Sequence, residues 1–161
     1  MSRGFKIKAL GEVAIRCDDI ERMAAFYRDV LGLEPLEGGY GAGIRFFRIG
    51  AGYSGHTTVL ALFAKDAGNE ALHARSDSAP VTGAGSSLHH VALTVDFAAQ
   101  GAVMDWYDRQ GVDYTLQEFG WIGWRGVFAR DPEGNTVELV AYDRSLLESG
   151  EGAEGENEEM A

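Results

Sequence analysis

The chain is predicted to be α+β, built from two βαβββ repeats whose curved mixed sheets surround a shared cleft. Three observations predict this. First, the sequence says nearly the same thing twice: Leu10-Gly-Glu-Val-Ala-Ile-Arg-Cys17 precedes a helical run ending Phe26-Tyr-Arg-Asp-Val-Leu-Gly32, and seventy-eight residues later Leu88-His-His-Val-Ala-Leu-Thr-Val95 precedes a helical run ending Trp106-Tyr-Asp-Arg-Gln-Gly111. Second, each copy ends in a hairpin pattern, Phe46–Ile49 with Thr58–Leu62 and Gly126–Arg130 with Thr136–Val140. Third, one strand–helix–strand–strand–strand unit cannot cover its own sheet, whereas two can bury a shared core, and an internal repeat restricts the architecture before any motif is considered.

The elements follow in order. Residues 1–9 form an N-terminal extension, and residues 10–64 the first module. Val13–Cys17 is short, partly β-branched and roughly alternating, which is a strand pattern. Asp18 or Asp19 can cap a helix in which Ile20, Met23, Ala24, Tyr27 and Val30 recur at helical spacing, and Gly32 can end it in the left-handed conformation. A Gly-rich turn over residues 38–43 leads to the first hairpin, whose strands are joined by Gly50–Gly55. Residues 65–87, rich in Gly, Ser and Ala with little periodicity, are a linker or flap. The second module, residues 88–144, repeats the order: a strand over 89–95, a helix near 97–110, a strand near 113–118, then a hairpin. Its turn Asp131-Pro-Glu-Gly-Asn135 is a strong turn signal, since Pro fixes φ early and Gly or Asn accepts positive φ later.

Composition bounds the partners. The net charge of −11 is uneven: residues 145–161 hold six acids and no base, so the remaining 19 acids and 14 bases leave the body at −5. The Gly/Glu tail cannot bury enough apolar surface to order itself. An acidic body without a basic stripe argues against nucleic acid as a partner. One cysteine, Cys17, cannot form an intramolecular disulfide, and residues 1–8 are not backed by a continuous apolar stretch. The expectation is a cytoplasmic protein with neither signal peptide nor membrane span.

The repeat sets Glu12 of the first copy level with His90 of the second, and both residue types bind metals. The pattern from Asp19 through Phe26-Tyr27 to Val30-Leu-Gly32, together with Phe128-Ala-Arg-Asp-Pro-Glu-Gly-Asn-Thr-Val-Glu-Leu139, resembles the vicinal oxygen chelate superfamily over roughly residues 8–143. That superfamily includes glyoxalase I, extradiol dioxygenases, fosfomycin-resistance enzymes, methylmalonyl-CoA epimerase and bleomycin-resistance proteins. The resemblance implies a glyoxalase-like fold, a divalent metal and, commonly, a homodimer. It implies metal ligands on the first and last strands of each module, which fall here on Glu12, His90 and Glu138. The fourth position falls on Leu60 or Ala61, neither of which binds metal, and Glu12 stands where three-ligand members usually carry His.

Two carboxylates and one imidazole make a hard, anionic site. Oxygen ligation suits Mn²⁺ or Mg²⁺, and the imidazole keeps Fe²⁺, Zn²⁺, Ni²⁺ and Co²⁺ in play. Three protein ligands leave positions for substrate. If the last hairpin pairs Arg130 with Thr136, then Phe128, Gly126 and Trp124 oppose Glu138, Val140 and Tyr142. Alternation puts Ala14 and Arg16 on the face of Glu12, where Arg16 could meet an anionic substrate. Trp121 and Trp124 could form an aromatic wall. Glu12, Glu138, Arg16, Trp124 and Phe128 are therefore the candidate catalytic and substrate-binding residues, with Glu12 or Glu138 a base if one dissociates. Arg45, Arg48 and Arg125 are candidates for a cationic pocket.

Plainer readings stand beside these. A lone strand Glu usually faces solvent, and a lone strand His is usually structural. Alternation sends His89 and His90 to opposite faces, and the repeat selects His90. His56 and His73 lie in loop-like stretches. Cys17 is buried rather than nucleophilic, and Phe26-Tyr27 and Trp106-Tyr107 pack helix onto sheet. Two functions follow: a metal-dependent enzyme (lyase, isomerase or dioxygenase) acting on a small molecule with two adjacent oxygens, or a metal-free binder of a bulky cationic drug, which the acidic body and three Trp would suit.

Overall fold

The computed structural model describes residues 2–38, 41–67 and 76–148. Part of the expected linker, including His73, and the acidic tail beyond residue 148 lie outside the described residues. The chain divides into two compact units, residues 1–85 with Asp131–Glu133, and residues 86–130 with 134–161. Each holds a four-stranded mixed sheet, and with few helices the fold is α+β. No helix among the described residues is long and apolar enough to cross a membrane.

In the first unit the strands are β1 (Glu12–Cys17), β2 (Glu34–Leu36), β3 (Ile44–Ala51) and β4 (Thr57–Ala64), in the order β1-β4-β3-β2. β1 runs parallel to β4 and the other pairs are antiparallel. Period-two alternation sends Ile15 and Cys17 into the core and leaves Glu12 and Ala14 exposed. Helix α1 (Ile20–Ala25) begins at Asp19, whose carboxylate accepts the Arg22 N–H at 3.0 Å. The helical spacing predicts one regular helix to Val30. Instead the chain widens over Phe26–Val30 into a π-helical turn, with the Leu31 N–H reaching the Phe26 carbonyl, and the two adjacent aromatic side chains Phe26 and Tyr27 are both buried there. Gly32 follows at φ +72°, the left-handed ending its position predicts.

The Asp131-Pro-Glu turn belongs to this unit, and its polar groups are consumed by it. The Tyr27 hydroxyl donates to Asp131 at 2.9 Å, and both Glu133 carboxylate oxygens accept, from the Asp18 and Asp19 N–H groups at 2.7 and 2.8 Å. A carboxylate on the first N–H groups of a helix is favoured by hydrogen bonding and by the helix dipole. Cys17 is fully buried beside this cluster. Burial first, then the carboxylates of Glu133, Asp131, Asp19 and Asp18, push its thiol up to about 12, so it is no nucleophile.

In the second unit the strands are β5 (Val91–Thr94), β6 (Tyr114–Phe119), β7 (Trp124–Arg130) and β8 (Thr136–Tyr142), in the order β5-β8-β7-β6. Helix α2 (Gln100–Gln110) ends at Gly111, φ +66°. Of the Trp106-Tyr107 pair only Tyr107 is core. Trp106 is 36% exposed and stacks under Arg109, because adjacent helical residues point about a quarter-turn apart and only one can face the sheet. Gln100 is fully buried. Its amide donates to the carbonyls of Arg125 and Leu139 at 2.7 and 3.1 Å, and its oxygen accepts from Arg125 Nε at 2.7 Å, which ties α2 to β7 and β8.

Candidate functional site

The site is built from β8, β7 and the residues just before β5. The antiparallel register sets Arg130 opposite Thr136, Phe128 opposite Glu138, Gly126 opposite Val140 and Trp124 opposite Tyr142, as the turn motif predicts. The parallel pairing sets Ala92 opposite Glu138. One face of this sheet therefore carries Glu138, Phe128 and Trp124, and the other carries the apolar residues Val127, Val137 and Leu139.

Glu138 is only 5% exposed on that face. Its Oε2 lies 3.2 Å from His90 Nε2. Burial raises its pKa above the ordinary carboxylate range, and the charge and hydrogen bond of His90 pull it back part of the way. The carboxylate has room because β7 carries no side chain at 126: a Cβ there would stand 2.2 Å from Glu138 Oε1 and 2.6 Å from the Phe128 ring. The His90 and Phe128 rings meet edge to face at 6.1 Å.

The expectation that His89 and His90 point to opposite faces is corrected. The strand begins at Val91, two residues later than predicted, so pleat alternation does not govern the pair. Their rings meet edge to face, and their Nδ1 atoms lie 2.7 Å apart.

The first unit shows what the same position looks like without a carboxylate. There Ala14 pairs with Ala61, as Ala92 pairs with Glu138 in the second, so the repeat equivalent of Glu138 is Ala61 rather than Leu60. The equivalent of Gly126 is Ile44, opposite Phe63. A small residue beside a large one is exchanged for a large residue beside glycine. Glu12 is exposed at the start of edge strand β1, and with Ala14, Arg16 and Phe63 it lines a cavity of about 320 Å³. Arg16 is half-buried there and donates to the Lys65 carbonyl at 3.2 Å.

The cationic candidates separate by face. Arg48 pairs with Val59 on the Glu12 face, whereas Arg45 pairs with Leu62 on the opposite face and forms an ion pair with Glu21. Arg125 alternates away from Trp124 and Gly126. It is held by Gln100 and lies 4.1 Å from the centre of the Phe97 ring, so it does not stand on the Glu138 face. Trp121 is 74% exposed in the turn before β7, Trp124 is 43% exposed, and His56 is exposed.

Two donors bound cis on one divalent ion at ~2.1 Å stand roughly 3.0–3.4 Å apart. The 3.2 Å between His90 Nε2 and Glu138 Oε2 fits that spacing. Among the described residues, no three His, Cys, Asp or Glu side chains come together in a set that could hold a metal. Glu12 belongs to the first unit, and His90 and Glu138 to the second.

Comparison with known proteins places these observations. The family model described as Glyoxalase/Bleomycin resistance protein/Dioxygenase superfamily matches residues 9–139. Over 110 residues the chain is 30% identical to the mitochondrial methylmalonyl-CoA epimerase of Mus musculus, a match covering 63% of this chain; the chain spans about half the length of that relative (53%). A lactoylglutathione lyase from Agrobacterium tumefaciens superposes with a TM-score of 0.61 at 28% identity, covering 84% of this chain and 94% of that one. A fosfomycin resistance protein from Listeria monocytogenes superposes with a TM-score of 0.59 at 15% identity, covering 88% of this chain and 97% of that one, and shows likeness of fold alone.

Proposed function

The chain belongs to the Glyoxalase/Bleomycin resistance protein/Dioxygenase superfamily, the vicinal oxygen chelate fold, and from that premise we propose that it is a divalent-metal-dependent isomerase or lyase that moves a proton at the carbon beside a substrate carbonyl. The observation that carries this reading is the His90–Glu138 pair, two donors at cis-ligand spacing with the carboxylate seated over Gly126. Two relatives above one-quarter identity support the reaction class, since lactoylglutathione and methylmalonyl-CoA are both acyl thioesters with a hydrogen on the carbon beside the carbonyl.

In this reading His90 and Glu138 hold the metal (Mn²⁺, Fe²⁺, Zn²⁺, Ni²⁺ or Co²⁺) and Glu12 is the third ligand. A divalent ion there supplies Lewis-acid stabilisation of negative charge on a substrate oxygen. Glu138 is fixed by His90 and by its seat, so its role is to hold and orient. Glu12 is exposed and is the ligand that would dissociate to take the substrate proton. Phe128 and Trp124 supply an apolar wall on the Glu138 face, and Arg16 and Arg48 meet anionic groups on the Glu12 face. The working protein is a homodimer, with the edge of β1 as its contact surface. The exposed edge strand β1 and the exposed Phe5, Ile7 and Leu10 just before it support that surface as a contact.

The test is proton exchange. The metal-loaded protein is incubated in D₂O with lactoylglutathione and with methylmalonyl-CoA, and deuterium at the carbon beside the carbonyl is followed by mass spectrometry. Exchange that falls about 10²-fold or more in Glu12→Gln is expected. No exchange into either thioester with any of the five metals would contradict the reaction class. The second reading, metal-free binding of a bulky cationic aromatic, is favoured by one observation, the exposure of Trp121 and Trp124 on an acidic body.

A further inference from the structure

A row of aromatic side chains continues the Glu138 face away from His90 and Glu138. The register sets Phe119 opposite Trp124 and Trp124 opposite Tyr142, so one ring from each of β6, β7 and β8 stands on that face. Phe119 is half-buried, whereas Trp124 and Tyr142 are 43% and 57% exposed. The row is continuous with the site: the Phe119 ring meets Phe128 edge to face at 6.4 Å, and Phe128 meets His90 at 6.1 Å. Three adjacent strands make the row about 10 Å wide, and Tyr142 stands four residues beyond Glu138, about 13 Å along β8. The turn beneath it is pinned. The Gly123 N–H donates to the Phe119 carbonyl at 2.9 Å, and the segment after β8 bonds back to the same turn, Asp143 N–H to the Gly123 carbonyl and Glu148 N–H to the Gly120 carbonyl, each at 3.0 Å. The Tyr142 ring is seated on residue 123, where a Cβ would stand 2.9 Å from Tyr142 Cε2 and 3.2 Å from Leu147 Cδ2.

Large apolar rings held open to water on a pinned turn mark a binding surface. Its size selects the occupant. Even with Trp121 of the same turn counted, the exposed rings offer roughly 300–450 Å². A specific protein interface buries ~800 Å² on each partner, so a second copy or another protein is too large an occupant, whereas a stacked ring fits. We propose that Phe119, Trp124 and Tyr142 form a stacking platform for a planar aromatic ring, carried by the ligand about 13 Å from the group that sits at Glu138, with Tyr142 as its specificity-determining residue. The inference rests on the reading above that the reacting end of an acyl thioester lies at Glu138, and it is independent of how the reaction there is driven. Two sources supply such a ring: the purine of a coenzyme A thioester, or an aryl group at the far end of the acyl chain.

The experiment is calorimetric titration of the full chain with two matched pairs of ligands. One pair is coenzyme A against phosphopantetheine, which lacks the purine. The other is the N-acetylcysteamine thioester of phenyloctanoic acid against that of octanoic acid. Wild type is compared with Tyr142→Phe, Tyr142→Ala and Trp124→Ala. In at least one pair the ring-bearing member is expected to bind roughly 5–100-fold tighter to wild type and to Tyr142→Phe, with most of that advantage lost in both alanine variants. The affinity of the ringless member should stay the same in all four proteins, and so should the thermal midpoint, because both side chains are exposed. The pair that shows the preference identifies the source of the ring. Binding with no ring preference in either pair would overturn the proposal alone, as would a preference that survives both alanine variants. Binding of none of the four ligands would overturn the thioester reading of the Glu138 face, and the platform with it.

Discussion

Gly126→Ala is expected to lose metal binding by roughly 10–100-fold, although residue 126 contributes no ligand. The added Cβ would stand 2.2 Å from Glu138 Oε1 and 2.6 Å from the Phe128 ring, so carboxylate and ring cannot both keep their places. The backbone at 126 is buried mid-strand, opposite Val140, and cannot move aside without breaking the ladder. Overpacking of this kind costs about 1–3 kcal/mol, and Glu138 is the neighbour that can turn away. The measurement is metal affinity beside the denaturant midpoint. A Gly126→Ala protein that binds metal as wild type does would mean the seat observed for Glu138 is not the one that matters.

Gln100→Leu should have the opposite profile, a large loss of stability with the His90–Glu138 pair intact. Leucine keeps much of the volume but removes a donor from the carbonyls of Arg125 and Leu139 and an acceptor from Arg125 Nε. Buried polar groups left unpaired cost about 1–3 kcal/mol each, and relaxation recovers some of that, so a net loss of ~2–4 kcal/mol is expected from the denaturant midpoint. Gln100 touches none of His90, Glu138 or Phe128 through these bonds, and metal affinity measured below the unfolding transition should be unchanged. A loss under ~0.5 kcal/mol, typical of a surface position, would contradict the clamp.

The two variants also show where sequence reading reaches and where it stops. Repeat spacing and the Asp131-Pro-Glu-Gly turn were enough to give the last hairpin its register, because the turn pins the strands and alternation does the rest. They were enough to set Glu138 and Phe128 on one face. The first hairpin is less legible: its register shifts between Arg48 and Gly50, and β2 is only three residues long. Gln100 gave no signal at all, since glutamine on a helix is ordinarily a surface residue and its partners are 25 and 39 positions away. Gly126 could be placed opposite Val140, but its need to be glycine depends on where the Glu138 carboxylate lies. Alternation cannot place the His89–His90 contact, because both residues lie before the strand begins at Val91. Glu133 is a further case, reading as a turn residue while capping α1 more than a hundred positions earlier.

The central claim is that His90 and Glu138 together bind a divalent ion. It is tested most directly by titrating metal-free wild type, His90→Ala, Glu138→Gln and Glu12→Gln with Mn²⁺, Zn²⁺, Ni²⁺ and Co²⁺ by calorimetry across pH. Because burial raises the Glu138 pKa, wild-type affinity should fall as pH drops through a value above the ordinary carboxylate range, since the protonated carboxyl cannot bind metal. The account predicts stoichiometric binding in wild type, lost in His90→Ala and Glu138→Gln and weakened in Glu12→Gln. Absence of binding in wild type for every metal, or binding that survives both His90→Ala and Glu138→Gln, would contradict it and favour the metal-free binding protein.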